Sequence, residues 1–241
     1  MEAIKTVGLT KKYKDLTAVD NLNLSVEQGE LFSLLGVNGA GKTTTIKMLS
    51  CLVKPTSGDA LLLGKSVKTE SQFIKQKTNI SPQETAIAPN LSVQENLELI
   101  AGIYGQNRVT AKQSTQDMAQ KFGLIEILKK RTKNLSGGMQ RRLSIAMALI
   151  SNPEILFLDE PTLGLDVLAR RELWTIIQSL KGKVTMVLTT HYLEEVEALS
   201  DRIGVMVSGK LVAVGTVSEL TSQTGTYNLE DAFVALAGGA K

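Results

Sequence analysis

Glu30-Leu31-Phe32-Ser33-Leu34-Leu35-Gly36-Val37-Asn38-Gly39-Ala40-Gly41-Lys42-Thr43-Thr44 is the stretch that sets the fold class. The apolar run Glu30–Leu35 has the unbroken character of a strand buried on both faces. It passes directly into Gly36–Thr43, which satisfies the spacing G-x-x-x-x-G-K-[ST]. A helix begins near Lys42 and ends by Pro55, ahead of a turn over Pro55-Thr56-Ser57-Gly58. The glycines let the loop wrap an anion closely with backbone N–H groups directed inward, and the helix offers its positive end to a β-phosphate. Lys42 reaches the β- and γ-phosphates as a point charge, the Thr43 hydroxyl suits a magnesium ion, and Thr44 adds a phosphate contact. A chance match anywhere in a chain of this length has a frequency of about 1%, so an ordinary glycine turn with an exposed lysine is the weaker reading.

Outward from this loop, strands and helices alternate. Upstream, Ile4–Leu9 and the alternating Val19, Leu22, Leu24 and Val26 read as strands, with a turn at Gln28–Gly29. Downstream, Asp59–Leu63 reads as an edge strand. Ser92-Val93-Gln94-Glu95 is a capping box ahead of Leu97, Leu99, Ile100 and Ile103. A polar helix over Thr110–Phe122 and a Ser136-capped helix over Gly137–Ile150 make residues 84–150 a helical insert. Strand patterns return at Ile155–Leu158 and Val184–Thr189, and helices cover Val167–Leu180 and Tyr192–Leu199. Ile203–Val207 and Leu211–Val214 form a hairpin about Ser208-Gly209-Lys210. The alternation predicts an α/β core with a parallel sheet. Leu229–Ala237 is a short amphipathic helix at most. The expected organisation is one domain, with its core over 1–83 and 151–220, the insert over 84–150 and a tail over 221–241.

Composition narrows the function classes. The chain has 241 residues, 27 Lys+Arg against 24 Asp+Glu, and a formal charge of +3, too small for a nucleic-acid footprint. Five Phe, four Tyr and one Trp leave few base-stacking platforms, so no nucleic-acid partner is expected. One cysteine, Cys51, and one histidine, His191, argue against a disulfide framework and a Cys/His zinc site. The first residues lack the apolar core of a signal peptide, and no apolar run approaches the ~20 residues that cross a bilayer. The expectation is a soluble chain in a reducing compartment that meets a membrane only through a partner.

Two further segments carry chemistry. Ile155-Leu156-Phe157-Leu158-Asp159-Glu160 is an apolar strand that delivers two carboxylates to its C-terminal end, where open α/β sheets bind ligands. Asp159 can orient a magnesium shell, and Glu160 can accept a proton from an attacking water or hold that water in line. His191 follows Val184–Thr189 and so arrives at the same edge. Leu135-Ser136-Gly137-Gly138-Met139-Gln140 opens a helix with several exposed N–H donors, a second anion site. In a plain capped helix the two glycines would cost about 1 kcal/mol each with no return.

In their order along the chain these motifs resemble those of ABC-type ATPases. Gly36–Thr44 is similar to the Walker A loop, Gln83 to the Q-loop, Leu135–Gln140 to the signature, and Ile155–Glu160 to Walker B. Leu163-Gly164-Leu165-Asp166 resembles the D-loop, His191 the switch histidine, and Tyr13 the aromatic that stacks under adenine. The resemblance implies a P-loop NTPase core, an N-terminal antiparallel β subdomain and a helical insert. It implies an ATPase in which two cassettes meet head to tail around ATP and magnesium. One chain then supplies Lys42, Thr43 and Glu160 while the other supplies Ser136, Gly137 and Gly138; Thr43, Gln83 and Asp159 serve the metal, and Glu160, His191 and Lys42 the chemistry. It further implies a second ATPase subunit, as a homodimer, and a separate integral-membrane transport subunit, with the chain cytoplasmic and peripheral on the inner face of the membrane. Gly137-Gly-Met-Gln-Arg-Arg142, Pro161-Thr-Leu-Gly-Leu-Asp166 and Leu229-Glu-Asp-Ala-Phe233 resemble the branch exporting drugs, lipids or polysaccharides. About twenty residues follow Leu220, fewer than the regulatory domain of many importers requires. Two alternatives stay open: a soluble non-transport ATPase of the same type, and a P-loop small-molecule kinase, which would have no need of Leu135–Gln140.

Overall fold

The computed structural model describes residues 1–238. β1 (Glu2–Tyr13), β2 (Leu16–Leu22) and β3 (Ser25–Glu27) lead to β4 (Leu31–Leu35) and α1 (Lys42–Leu49). β5 (Ser57–Leu62), β6 (Lys65–Ser66), α2 (Ser71–Lys77) and β7 (Thr78–Ser81) follow. Next come α3 (Val93–Ile103), α4 (Arg108–Lys121) and α5 (Gly137–Leu149), with short 3-10 turns between the last two. The chain returns through β8 (Ile155–Asp159), α6 (Val167–Gln178), β9 (Thr185–Thr190) and α7 (Leu193–Leu199). It ends with β10 (Arg202–Val207), β11 (Lys210–Gly215), α8 (Val217–Thr224) and α9 (Leu229–Gly238).

Two sheets result. The larger has the order β11-β10-β4-β9-β8-β7 and is parallel except for the antiparallel β11. The smaller is antiparallel, in the order β2-β1-β5-β6 with β3 also paired to β1. Every residue of β4, β8 and β9 is buried, as their unbroken apolar sequences require. Register sorts their side chains by face. Leu31, Met186 and Leu156 align, with Leu188 and Leu158 beyond them, and join a core shared with α3, α5 and α6. Phe32, Val187 and Phe157 align on the opposite face and pack with α1 and the smaller sheet.

This stacking brings five strand ends to one edge. Leu35 leads into Gly36, Ser81 toward Gln83, Asp159 to Glu160, Thr190 to His191, and Val207 to Ser208. In register, Asp159 faces Thr189 and Leu35 faces Thr190.

Several expectations shift. β5 is not an edge strand: Thr56 N donates to Thr10 O, drawing the chain into pairing with β1 earlier than its turn residues suggest, and β6 covers its outer side. The capping boxes at Ser92–Glu95 and Thr216–Glu219 are both formed, and the second opens α8, a helix not expected from the sequence. α2 and β7 were likewise unexpected, since Ser71–Ser81 has no clear period. α4 starts at Arg108, earlier than Thr110, because the Asn107 side chain accepts from Val109 N and Thr110 N. α5 packs on the large sheet as well as on α3, so one apolar core runs from the helical segment into the sheet. α9 buries Leu229 and Ala232, with Phe233 and Leu236 against the β10–β11 hairpin; the last three residues of the tail lie outside the described residues.

Phe157 lies on β8 in the aligned row, next to Val187, and is fully buried. Phe157→Ala is expected to lower unfolding free energy by about 3–5 kcal/mol, measured by urea denaturation.

Candidate functional site

Gly36 and Gly41 determine the shape of the loop after β4. A Cβ on Gly36 would lie 2.5 Å from Met206 O, and Gly41 has φ +103° and would bring a Cβ equally close to Ala18 O. Gly41 is also the N-cap of α1 and provides no side chain to cap it, so the helix start presents its N–H groups to the loop. Lys42 Nζ donates to Gly36 O (2.6 Å) and Val37 O (3.3 Å), and lies 3.2 Å from Glu160 Oε1. Both side chains of this ion pair are only 6% exposed.

Glu160 is held on its other side by His191, whose Nδ1 is 2.9 Å from Oε2. A carboxylate oxygen only accepts, so Nδ1 carries the proton when Glu160 is ionised. Glu160 has φ +47°, a left-handed backbone that a non-glycine residue adopts at a cost of about 1–3 kcal/mol. Thr189 makes that conformation persist: Glu160 N donates to Thr189 O (3.0 Å) and lies 3.1 Å from its Oγ1. The Thr189 hydroxyl in turn donates to Asp159 Oδ1 at 2.6 Å, and Thr43 Oγ1 donates to the same oxygen at 3.0 Å.

These groups line or back a cavity of about 750 Å³. It brings together Tyr13, Asn38, Gly39, Ala40, Gly41, Lys42, Thr43, Thr44, Gln83, Glu160 and His191. Tyr13, 43% exposed, stands at its rim with Lys11 Nζ 4.9 Å from its ring centroid. Gly36 and Val37 contribute carbonyls to Lys42 from outside the lining, and Asp159 lies behind Thr43. Ser136, Gly137 and Gly138 are not part of this cavity. They start α5, where the Ser136 hydroxyl accepts from Met139 N and Gly138 backs onto Ala169. Asp166 caps α6 by accepting from Ala169 N.

Sequence reasoning missed several residues here. Thr189 closes the apolar pattern Val184–Thr189, and the Thr-Thr pair directly before His191 is the signal of a polar strand terminus. Leu16, Thr17 and Ala18 and the hairpin tip Ser208-Gly209 also line the cavity. Beneath the site, Glu195 is fully buried. Its Oε1 accepts from Trp174 Nε1 at 3.1 Å, while Oε2 and the Thr162 hydroxyl have no hydrogen-bond partner. Burial pushes the Glu195 carboxyl above its ordinary range, against the pull of the Trp174 N–H donor.

Residues 19–163 match the sequence family described as ABC transporter. This chain belongs to that family. A shorter stretch, residues 130–197, also matches a family described as an AAA domain. Over 239 residues the chain is 42% identical to the "Probable multidrug ABC transporter ATP-binding protein YbhF" of Escherichia coli K12, covering 97% of this chain and 41% of that protein. It is 39% identical to the daunorubicin/doxorubicin resistance ATP-binding protein DrrA of Streptomyces peucetius, across 93% of this chain and 68% of the relative. The chain thus spans about two fifths of the first relative and two thirds of the second. Among solved structures, the dimeric post-hydrolysis ATP-binding cassette MJ0796 bound to ADP and Pi superimposes with a TM-score of 0.81 at 26% identity, covering 88% of this chain and 98% of that one. The fold is that of an ABC-type ATPase cassette.

An acid whose folded-state pKa is raised binds more protons folded than unfolded. Ionisation of Glu195 therefore erodes stability as pH climbs from the ordinary carboxylate range through the raised value, and costs nothing below that range. Glu195→Gln cannot ionise and keeps an acceptor for Trp174. Its stability relative to the parent, from urea unfolding, is expected to increase as pH rises above the ordinary carboxylate range. A difference that is flat with pH would remove this account.

Proposed function

We propose that this ABC-family chain binds and hydrolyses ATP at the interface of a head-to-tail homodimer, and that the cycle drives export through a separate membrane subunit from the cytoplasmic face. The carrying observation is the position of Glu160, shared between Lys42 and His191 at the mouth of the glycine cradle, while a second glycine-rich helix start lies outside the cavity.

In this reading Tyr13 stacks on the base and the loop Gly36–Thr44 cradles the phosphates. The γ-phosphate competes with Glu160 for the Lys42 ammonium, leaving the carboxylate to His191 and a water. The water oxygen attacks phosphorus, and the bond from phosphorus to the β,γ-bridging oxygen breaks. The electron pair of that bond leaves with ADP, and the water's proton goes to Glu160. His191 keeps the Glu160 carboxylate aimed into the cavity.

The Thr43 hydroxyl, the Asp159 carboxylate and the Gln83 side-chain oxygen form an all-oxygen donor set of the kind magnesium takes beside phosphates. When bound, magnesium supplies charge neutralisation on the β- and γ-phosphate oxygens. Ser136, Gly137 and Gly138 of a second copy complete the grip on the γ-phosphate with a hydroxyl and helix N–H groups. Among the described residues no helix is long and apolar enough to cross a membrane, which fits a separate membrane subunit. The names of the multidrug and doxorubicin-resistance relatives favour export of a drug-like cargo.

Glu160→Gln is expected to keep ATP affinity, lower phosphate release by about 10²- to 10⁴-fold, and trap an ATP-dependent dimer on size exclusion. Turnover at the parent rate would remove Glu160 as the base. Ser136→Arg should bind ATP as a monomer, fail to pair, and lose turnover by at least about a hundredfold. Unimpaired turnover by this variant alone would refute the shared site.

A further inference from the structure

Arg141 lies one helical turn beyond Gly137 on α5, and its side chain is buried against a neighbouring loop. It is 5% exposed, and its guanidinium grips that loop by the backbone. Nη1 donates to Pro82 O at 2.6 Å and Nη2 to Gln83 O at 2.5 Å. One turn further along the same helix face, Ser144 Oγ is 2.9 Å from Ser81 Oγ, and both residues are buried. Three successive residues, Ser81, Pro82 and Gln83, are therefore fastened to one face of α5.

The chemistry of the grip is specific. Two successive carbonyls present two acceptors, and a planar guanidinium offers two N–H donors in a fixed fork; a lysine ammonium offers only a compact point of charge. Burying that cation is costly. Burial loosens its hold on the proton, while the Asp159 and Glu195 carboxylates act in the opposite direction. The residue before Gln83 is a proline, which has a fixed φ and no N–H, so it adds no backbone donor that could compete with the guanidinium for these carbonyls.

Gln83 lines the nucleotide cavity, and Ser136 caps the same helix that carries Arg141. We propose that Arg141 is a positioning residue that locks the Gln83 loop to the Ser136 helix start, so that the group facing this chain's nucleotide and the group offered to the partner's nucleotide move as one body. The inference rests on the head-to-tail reading above. Arg141 touches neither nucleotide in that reading; it acts through the two elements it joins.

Arg141→Met keeps length and apolar bulk but removes the fork. The full chain carrying it should bind a fluorescent ATP analogue as a monomer within about twofold of the parent affinity. Combined with Glu160→Gln, it should raise the ATP concentration needed for pairing at least about tenfold, read by analytical ultracentrifugation. Alone, it should lower kcat about tenfold, but by no more than about twofold when added to Gln83→Ala, because that variant already removes the side chain through which the loop reaches the nucleotide. Parent-level pairing and kcat in Arg141→Met would overturn the inference, as would effects that multiply in the double variant. A matched loss of monomer affinity would also overturn it, since a general structural defect lowers both. If Arg141→Met does not fold, Arg141→Lys decides: parent monomer affinity with reduced kcat supports the linkage, and parent-level kcat and pairing refute it. Failure of Glu160→Gln itself to pair with ATP would overturn the dimer reading and this inference with it. Pairing that survives unchanged in Arg141→Met overturns this inference alone.

Discussion

One carboxylate organises the site. Glu160 engages the Lys42 ammonium through one oxygen and the His191 imidazole through the other, and does so from a left-handed backbone conformation. That conformation is unfavourable in isolation. It survives because the neighbouring strand clasps the Glu160 amide through the Thr189 carbonyl, with the Thr189 hydroxyl alongside. The same hydroxyl reaches Asp159, which meets Thr43 at the start of α1. A single threonine on β9 thus links the two carboxylates to the phosphate cradle. Local strain is tolerated here because the sheet's register leaves the backbone no other arrangement.

The large sheet makes this possible by burying its three central strands completely. Strands with no exposed face carry no functional side chains along their length, so chemistry collects where they end. A parallel arrangement puts those ends on one side, and five of them converge there. The glycine-rich start of α5 lies apart from this cluster. That separation gives the proposed head-to-tail assembly its physical sense, because a second set of N–H donors is left facing outward.

Much of this was legible in the residues. The runs Leu31–Leu35 and Ile155–Leu158 announce buried strands because nothing in them could face water. The G-x-x-x-x-G-K-T spacing announces the cradle because few other uses require it. Other features depend on tertiary context. Ser71–Ser81 mixes polar and apolar residues without a period because β7 is the outer strand of its sheet, so α2 and β7 left no pattern to read. Arg141 and Arg142 look alike on paper, yet one is buried against loop carbonyls and the other pairs with Glu172. The left-handed backbone at Glu160 has no composition signal at all, since glutamate is not a residue that favours it. Thr216-Val217-Ser218-Glu219 did carry a readable capping pattern, and α8 follows from it.

The central strand β4 is made early, but its neighbours in the sheet are not. It pairs with residues 186–190 on one side and 202–205 on the other, and Gly209 N donates to Ala40 O at the back of the phosphate loop. Asp20 N donates to Gly209 O, so the wall of the loop is stitched from three widely separated parts of the chain. Closing such long loops is entropically expensive and slow. During synthesis the first strands must therefore wait, apolar and unpaired, until most of the polypeptide has left the ribosome. Nucleotide cannot meet a formed cradle before then, and until that point the unpaired strand edges are open to self-association.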